Sequence, residues 1–242
     1  MKPKFVRTSN VTRFLAAIAA VEQRGAQEAC LAVITGEAGF GKSRTGAWWA
    51  AEAGAAFIRV KAACTPHWIL TDIVRALGEQ APARTNEKLF EQAVSALGQL
   101  QCPIVLDEVE HAIKRDITVL DTVRDLTDFC EVPLVLMGRE FTIGNLRKHR
   151  QIFTRVSAIA EFQPATLEDV RLLASEKCEV AVSEDLLAHL HERSEGHVRQ
   201  IVKGLANIER IGLRARQQRV DRQMVGDTEL TAEWTRMRKV AA

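Results

Sequence analysis

Apolar positions along this chain follow two alternating rhythms. Short runs that are apolar at nearly every position, Cys30 to Thr35, Ala56 to Val60, Pro103 to Leu106, Pro133 to Met137 and Val156 to Phe162, read as strands. Between them, apolar residues recur at helical spacing through Trp48 and Glu52, from about Pro66 to Leu77, from about Asn86 to Leu100, and from Asp116 to Cys130. Strands that are apolar on both faces and separated by helices predict an α/β fold, a five-stranded parallel sheet with helices on both faces. Upstream, Val11, Phe14, Leu15, Ile18 and Val21 share one helical face, with Ser9 or Asn10 as the cap and Gly25 just past the end.

After Pro164 the rhythm is helical only: Leu167 to Lys177, Ser183 to Arg193, and His197 to about Ile211. Thr166 with Asp169 forms a capping-box-like pair at the first of these starts, and Ser183 marks the second. Beyond Gly212 the chain turns polar and basic, with Arg214, Arg216, Arg219, Arg222, Arg236, Arg238 and Lys239. The expected organisation is therefore an α/β domain over 1–163, a small helical subdomain over 164–212, and a mobile basic tail over 213–242.

Composition narrows the class. With 242 residues, 47% hydrophobic and 26% charged, the chain has ordinary globular usage and enough length to bury a full core. A formal net charge of +2 means that a nucleic-acid partner must be held by a local patch and not by whole-molecule attraction. Five scattered cysteines without a CxxC pair suggest neither a disulfide framework nor a zinc site, and fit a reducing cytoplasm. The longest apolar run, Phe14 to Val21, has eight residues, whereas a bilayer span needs about 20, so no membrane partner is expected. Lys2, Lys4, Arg7 and Arg13 precede that run in the manner of a signal peptide, but its helical spacing argues for a folded helix.

The chemistry is concentrated in one loop. Gly36-Glu37-Ala38-Gly39-Phe40-Gly41-Lys42-Ser43 matches G-x-x-x-x-G-K-[ST] between a predicted strand and a predicted helix. Glycines let successive backbone N–H groups face a phosphate, and the following helix adds its positive end. Lys42 would reach the β- and γ-phosphates of ATP, and the Ser43 hydroxyl would ligate Mg²⁺. Downstream, Ile104-Val105-Leu106-Asp107-Glu108 ends an apolar strand on two carboxylates, at the sheet end where open α/β folds bind ligands. Asp107 would hold Mg²⁺ through water. Glu108 would orient or deprotonate the attacking water.

Together with Pro133-Leu134-Val135-Leu136-Met137-Gly138 and a late G-x-x-R at Gly196 to Arg199, these residues resemble an AAA+ ATPase, a P-loop NTPase with a helical lid. The resemblance implies that Gly36 to Ser43 and Arg44 hold the nucleotide, with Arg199 reaching it from the lid. It also implies an arginine finger inserted from a neighbouring subunit, best matched by Arg155, with Arg150 in reserve, and hence an oligomer. One departure is that the strand tip where the family carries a polar sensor holds Gly138, followed by Arg139 and Glu140.

A finer resemblance, to the ATP-dependent target-DNA activators of Mu-like phages, the transposition protein B type, rests on several stretches. These are Thr8-Ser9-Asn10, Cys30 to Thr45, Trp48-Trp49, Leu106 to His111, Glu131 to Gly138, Phe162-Gln163-Pro164, Leu167 to Val170 and Val198 to Leu205. It covers roughly residues 5–212. What it implies is an ATPase that assembles with ATP on double-stranded DNA without sequence preference, presents that DNA to a transposase, and is released by hydrolysis. Lys61, Lys114 and Arg115, in loops that follow strands, are the expected DNA contacts. Trp49 and Trp48 are expected in the core and not stacked on bases. Two other functions fit the same motifs: a helicase loader or replication initiator, and a signalling NTPase with protein partners only.

Overall fold

The computed structural model describes residues 1–23, 25, 30–115, 117–226 and 228–231. The chain divides into two compact units. One consists of Arg13–Glu37 and Lys42–Phe162, the other of Met1–Thr12, Ala38–Gly41 and Gln163–Ala242.

The first element, α1 (Ser9–Glu22), is followed by β1 (Leu31–Gly36), α2 (Lys42–Ala53), β2 (Ala56–Arg59), α3 (Pro66–Ala76) and α4 (Asn86–Leu100). Then come β3 (Ile104–Asp107), α5 (Glu110–Arg115), α6 (Thr118–Cys130), β4 (Leu134–Met137), α7 (Thr142–Leu146), α8 (Arg150–Phe153) and β5 (Val156–Phe162). The five strands form one parallel sheet in the order β2-β3-β4-β1-β5. The expected α/β architecture is thus the observed one.

The alternation of side chains along each strand serves both faces. Leu31, Val33, Ile58, Ile104, Leu106, Leu134 and Leu136 join a core with Ile69 and Ile73 of α3, Leu89 and Leu97 of α4, and Leu120 and Leu126 of α6. On α2, Gly46 stands against Met137 of β4, where any side chain would collide: a Cβ there would lie 2.5 Å from the Met137 thioether. Trp49 is buried with its ring edge-on to Phe14 at 5.7 Å, in the core as its spacing predicts.

The second unit contains α9 (Leu167–Lys177), β6 (Ala181–Val182), α10 (Glu184–Ser194), α11 (Val198–Arg214), β7 (Arg219–Val220) and α12 (Arg222–Val225). Thr166 and Asp169 close the capping box at the start of α9, with bonds of 3.2 and 3.0 Å. Ser9 and Asn10, expected as caps of α1, also bond to residues far along the chain. Ser9 donates through both its amide and its hydroxyl to the Asp169 carboxylate at 2.7 Å. Asn10 exchanges two bonds with the Gln163 backbone, at 2.7 and 3.0 Å. These bonds tie residues 1–12 to the helical unit.

A second difference concerns the segment expected as a mobile tail from residue 213. It carries β7, which pairs in parallel with β6, and α12, capped by the Asp221 side chain. Buried Val220, Val225 and Leu230 supply the apolar anchors that the basic composition hid. Arg236, Arg238 and Lys239 lie outside the described residues. Among the described residues, no helix is long and apolar enough to cross a membrane.

Candidate nucleotide site

The glycine loop leaves β1 at Gly36, where φ is +139° and a Cβ would stand 2.7 Å from the Phe162 carbonyl oxygen. Gly39 and Gly41 also take positive φ, +100° and +97°, conformations that only glycine adopts without strain. The loop ends on α2, so that Lys42 and Ser43 are the first two residues of that helix and Arg44 is exposed on it. Lys42 Nζ donates to the carbonyls of Gly36 at 2.6 Å and Glu37 at 2.9 Å. Burial pushes its pKa down, while Glu110 and then Asp107 pull it back up. The ammonium is held in the loop by acceptors that a phosphate can replace.

Ser43 Oγ donates to Asp107 Oδ1 at 3.1 Å. A hydroxyl and a buried carboxylate oxygen on adjacent elements are the hard donors that Mg²⁺ selects, so this pair fits the ion implied by the loop. The other Asp107 oxygen accepts from Arg59 Nε at 3.3 Å, because the β2–β3 register sets Arg59 directly opposite Asp107. Glu108 has φ +59°, an uncommon conformation for a residue with a side chain, and begins the turn into α5. Its carboxylate is 44% exposed, with Arg59 at 3.9 Å and His111 at 3.7 Å. Asp107, Ser43, Lys42 and Glu108 are thus brought together within one unit. Arg59 was missed, because only strand order and register set it opposite Asp107.

The strand tip expected to carry a polar sensor has a steric reason for its glycine. A Cβ on Gly138 would lie 2.3 Å from Thr142 Oγ1 and 3.0 Å from a Val109 methyl. Thr142 is fully buried and its hydroxyl has no hydrogen-bond partner among the described residues, as does one oxygen of buried Glu110. Arg139 Nε lies 3.8 Å from the other Glu110 oxygen. Gly138→Ala should therefore cost about 1–3 kcal/mol of stability from overpacking. Chemical denaturation should find the double variant Gly138→Ala/Thr142→Ala less destabilised than the sum of the single changes.

In the helical unit, Gly196 takes φ +72° and packs on Pro164 and Ala165, with its carbonyl accepting from Ala165 N at 2.9 Å. The turn presents buried His197, whose ring lies 5.0 Å from that of Phe40, and Arg199, whose amide donates to Gly39 O at 3.1 Å. Phe40 packs locally. The Arg199 side chain is exposed near the start of α11.

The remaining expected contacts are distributed differently. Arg155 Nε is bonded to Asp128 at 2.7 Å, and its carbonyl caps Leu31 N at the start of β1, so its side chain is engaged within this chain. Arg150 is exposed and has no ion-pair partner among the described residues. Lys61 is paired with Asp72 and lies over Trp68, 4.7 Å from the ring centre, instead of projecting freely. The side chains of Lys114 and Arg115 lie outside the described residues.

A parallel sheet whose first strand ends in a glycine loop, with a hydroxyl–carboxylate pair beside a second acid, has the architecture of a P-loop NTPase. More narrowly, the chain belongs to the AAA domain family, whose model matches residues 24–144. No protein of curated function matches the sequence.

Among solved structures, the chain is similar to the Aeropyrum pernix ORC1 protein in complex with DNA, at 22% identity and TM-score 0.63, covering 93% of this chain and 65% of that one. It is similar to the Aeropyrum pernix ORC2 protein in its ADPNP–ADP complexes, at 15% identity and TM-score 0.71, covering 93% and 68%. It is also similar to the Thermotoga maritima RuvB Holliday junction branch migration motor, at 16% identity and TM-score 0.59, covering 91% and 68%. These likenesses show the AAA+ ATPase fold. The chain spans slightly less than two thirds of the ORC1 protein.

Proposed function

We propose that this chain is an ATP-operated AAA+ switch acting on duplex DNA, of the replication-initiator or helicase-loader kind. The observation that carries the reading is the Ser43–Asp107 pair at 3.1 Å, formed beside the Lys42 ammonium at the mouth of the glycine loop. The DNA-bound ORC1 protein and the RuvB branch migration motor, which share the fold, support the choice of DNA. Loop amides from Gly36 to Ser43 and the Lys42 ammonium would bind the triphosphate, and Ser43 and Asp107 would hold Mg²⁺, which when bound neutralises developing phosphate charge. Glu108 would take a proton from the water whose oxygen attacks the γ-phosphorus, as the bond from that phosphorus to the β–γ bridging oxygen breaks and ADP leaves. Arg150, open to solvent, is better suited than Arg155 to reach the site of a neighbouring subunit.

A second reading, target-DNA activation for a transposase by an ATP-dependent oligomer, is favoured by the stretches from Thr8 to Leu205 that resemble the Mu-type activators. Both readings predict that ATP raises affinity for arbitrary duplex DNA at least about tenfold over ADP, with affinity falling steeply as salt rises. Fluorescence anisotropy with ATP, ADP and no nucleotide tests this, and an affinity indifferent to nucleotide overturns both in favour of a switch with protein partners. Capture of a replicative helicase rather than a transposase then separates them.

A further inference from the structure

Helix α11 carries four cations on one line. Arg199, Lys203, Arg210 and Arg214 are spaced by four, seven and four residues, which at about 100° per residue sets them within about 60° of one another around the axis. Ile201, Leu205 and Ile208 are fully buried on the opposite side. The single acid of the helix, Glu209, is buried and accepts from the N-terminal ammonium and from Glu179 N, so the exposed line holds no negative charge.

The line continues past the helix end on an ordered turn. Arg216 N donates to Leu213 O at 3.2 Å and Gln217 N to Gly212 O at 2.9 Å, the pair of bonds that closes a helix with a left-handed residue. That residue is Arg216, at φ +53°, where glycine is usual. Arg219 follows, exposed on β7. Gly212 lets the turn close on β7, since a Cβ there would stand 2.6 Å from a Val220 methyl.

Helix stability does not account for this arrangement. Cations in the last turn suit the helix dipole, but Arg199 and Lys203 lie at the end where positive charge opposes it. Like charges four residues apart, as at 199/203 and 210/214, also repel. Elsewhere Arg124, Arg155 and Arg171 are each committed to carboxylates, whereas Lys203, Arg210, Arg214, Arg216 and Arg219 have none within ion-pair distance among the described residues.

We propose that this ridge is the track on which the phosphate backbone of duplex DNA docks, an inference that rests on the DNA reading above. From Arg199 to Arg214 it runs about 22 Å, enough to follow one strand over about six base pairs. Guanidinium forks and a lysine point charge supply sequence-independent contacts to phosphate.

The test measures binding of the full chain with ATP to a labelled random-sequence duplex of about 30 base pairs across a salt series. Lys203→Gln/Arg210→Gln/Arg214→Gln should weaken binding roughly tenfold or more at moderate salt and lower the log–log salt slope by about 2–3, with ATP affinity unchanged. Arg210→Lys/Arg214→Lys should retain most of the affinity. Arg216→Gly, which places glycine in a conformation glycine prefers, should fold as well as the parent and still lower the slope by about one. A parent that binds DNA and a triple variant that binds it equally, with the same slope, overturn the ridge and leave the DNA reading intact. A parent that binds no DNA removes both. Loss of an acidic protein partner with unchanged DNA affinity makes the ridge a protein surface and overturns the proposal.

Discussion

Lys42→Ala is expected to weaken magnesium-ATP binding about 10- to 100-fold, the range of a charge-assisted hydrogen bond to phosphate, and with it every nucleotide-dependent property of the protein. The reason lies in how the ammonium is kept. Gly36 O and Glu37 O hold it at 2.6 and 2.9 Å inside the loop, so the charge is already in position, and a phosphate would replace carbonyl partners without reorganising the side chain. Titration calorimetry on the variant measures the loss directly. Thermal unfolding should show the fold retained, since the sheet core is built without this side chain and only its two bonds to the loop carbonyls are lost. An alanine variant that binds ATP as the parent does would remove the phosphate-loop reading altogether.

Glu108→Gln should separate binding from hydrolysis. ATP affinity is expected to stay within a few-fold of the parent while turnover falls about 10²–10⁴-fold, the usual contribution of a general base. Glu108 stands outside the Ser43–Asp107 pair, half-exposed and turned by its left-handed backbone, with Arg59 and His111 as its charged neighbours. Removing its charge therefore leaves the Ser43–Asp107 pair untouched. On the DNA reading, the variant should also remain on DNA longer with ATP, because release would depend on hydrolysis. Single-turnover phosphate release provides the measurement. Turnover preserved within a few-fold would pass the basic role to Glu110, the buried acid with one oxygen unpaired among the described residues.

Most of this site was legible before any coordinates, and the part that was not has a common cause. Gly36 to Ser43 is a local device, in which three glycines and a helix start fall within eight residues, so spacing alone reveals it. Asp107 and Glu108 were legible because an apolar strand ending in two acids has few other uses beside such a loop. The Thr166–Asp169 capping box was likewise visible, being confined to four neighbouring residues. Arg59 was invisible because its meeting with Asp107 depends on which strand pairs with β3 and in what register. The commitment of Arg155 to Asp128, 27 residues away, and of Ser9 to Asp169, 160 residues away, was hidden in the same manner. In each case a polar side chain with several possible partners took the one that packing brought close.

Local patterning by itself determined the class of sheet, the helices that flank it, the glycine loop and the acid pair, since all of these are written in residues within about a dozen positions of one another. Only the tertiary structure decided that Gly138 has no room for a side chain, that the basic segment after Gly212 folds back through β7 and α12, and that the cations of α11 and the turn after it stand without counter-charges among the described residues. Those outcomes depend on close packing and on the distances between charges that are remote in sequence, and neither is encoded in the order of neighbouring residues.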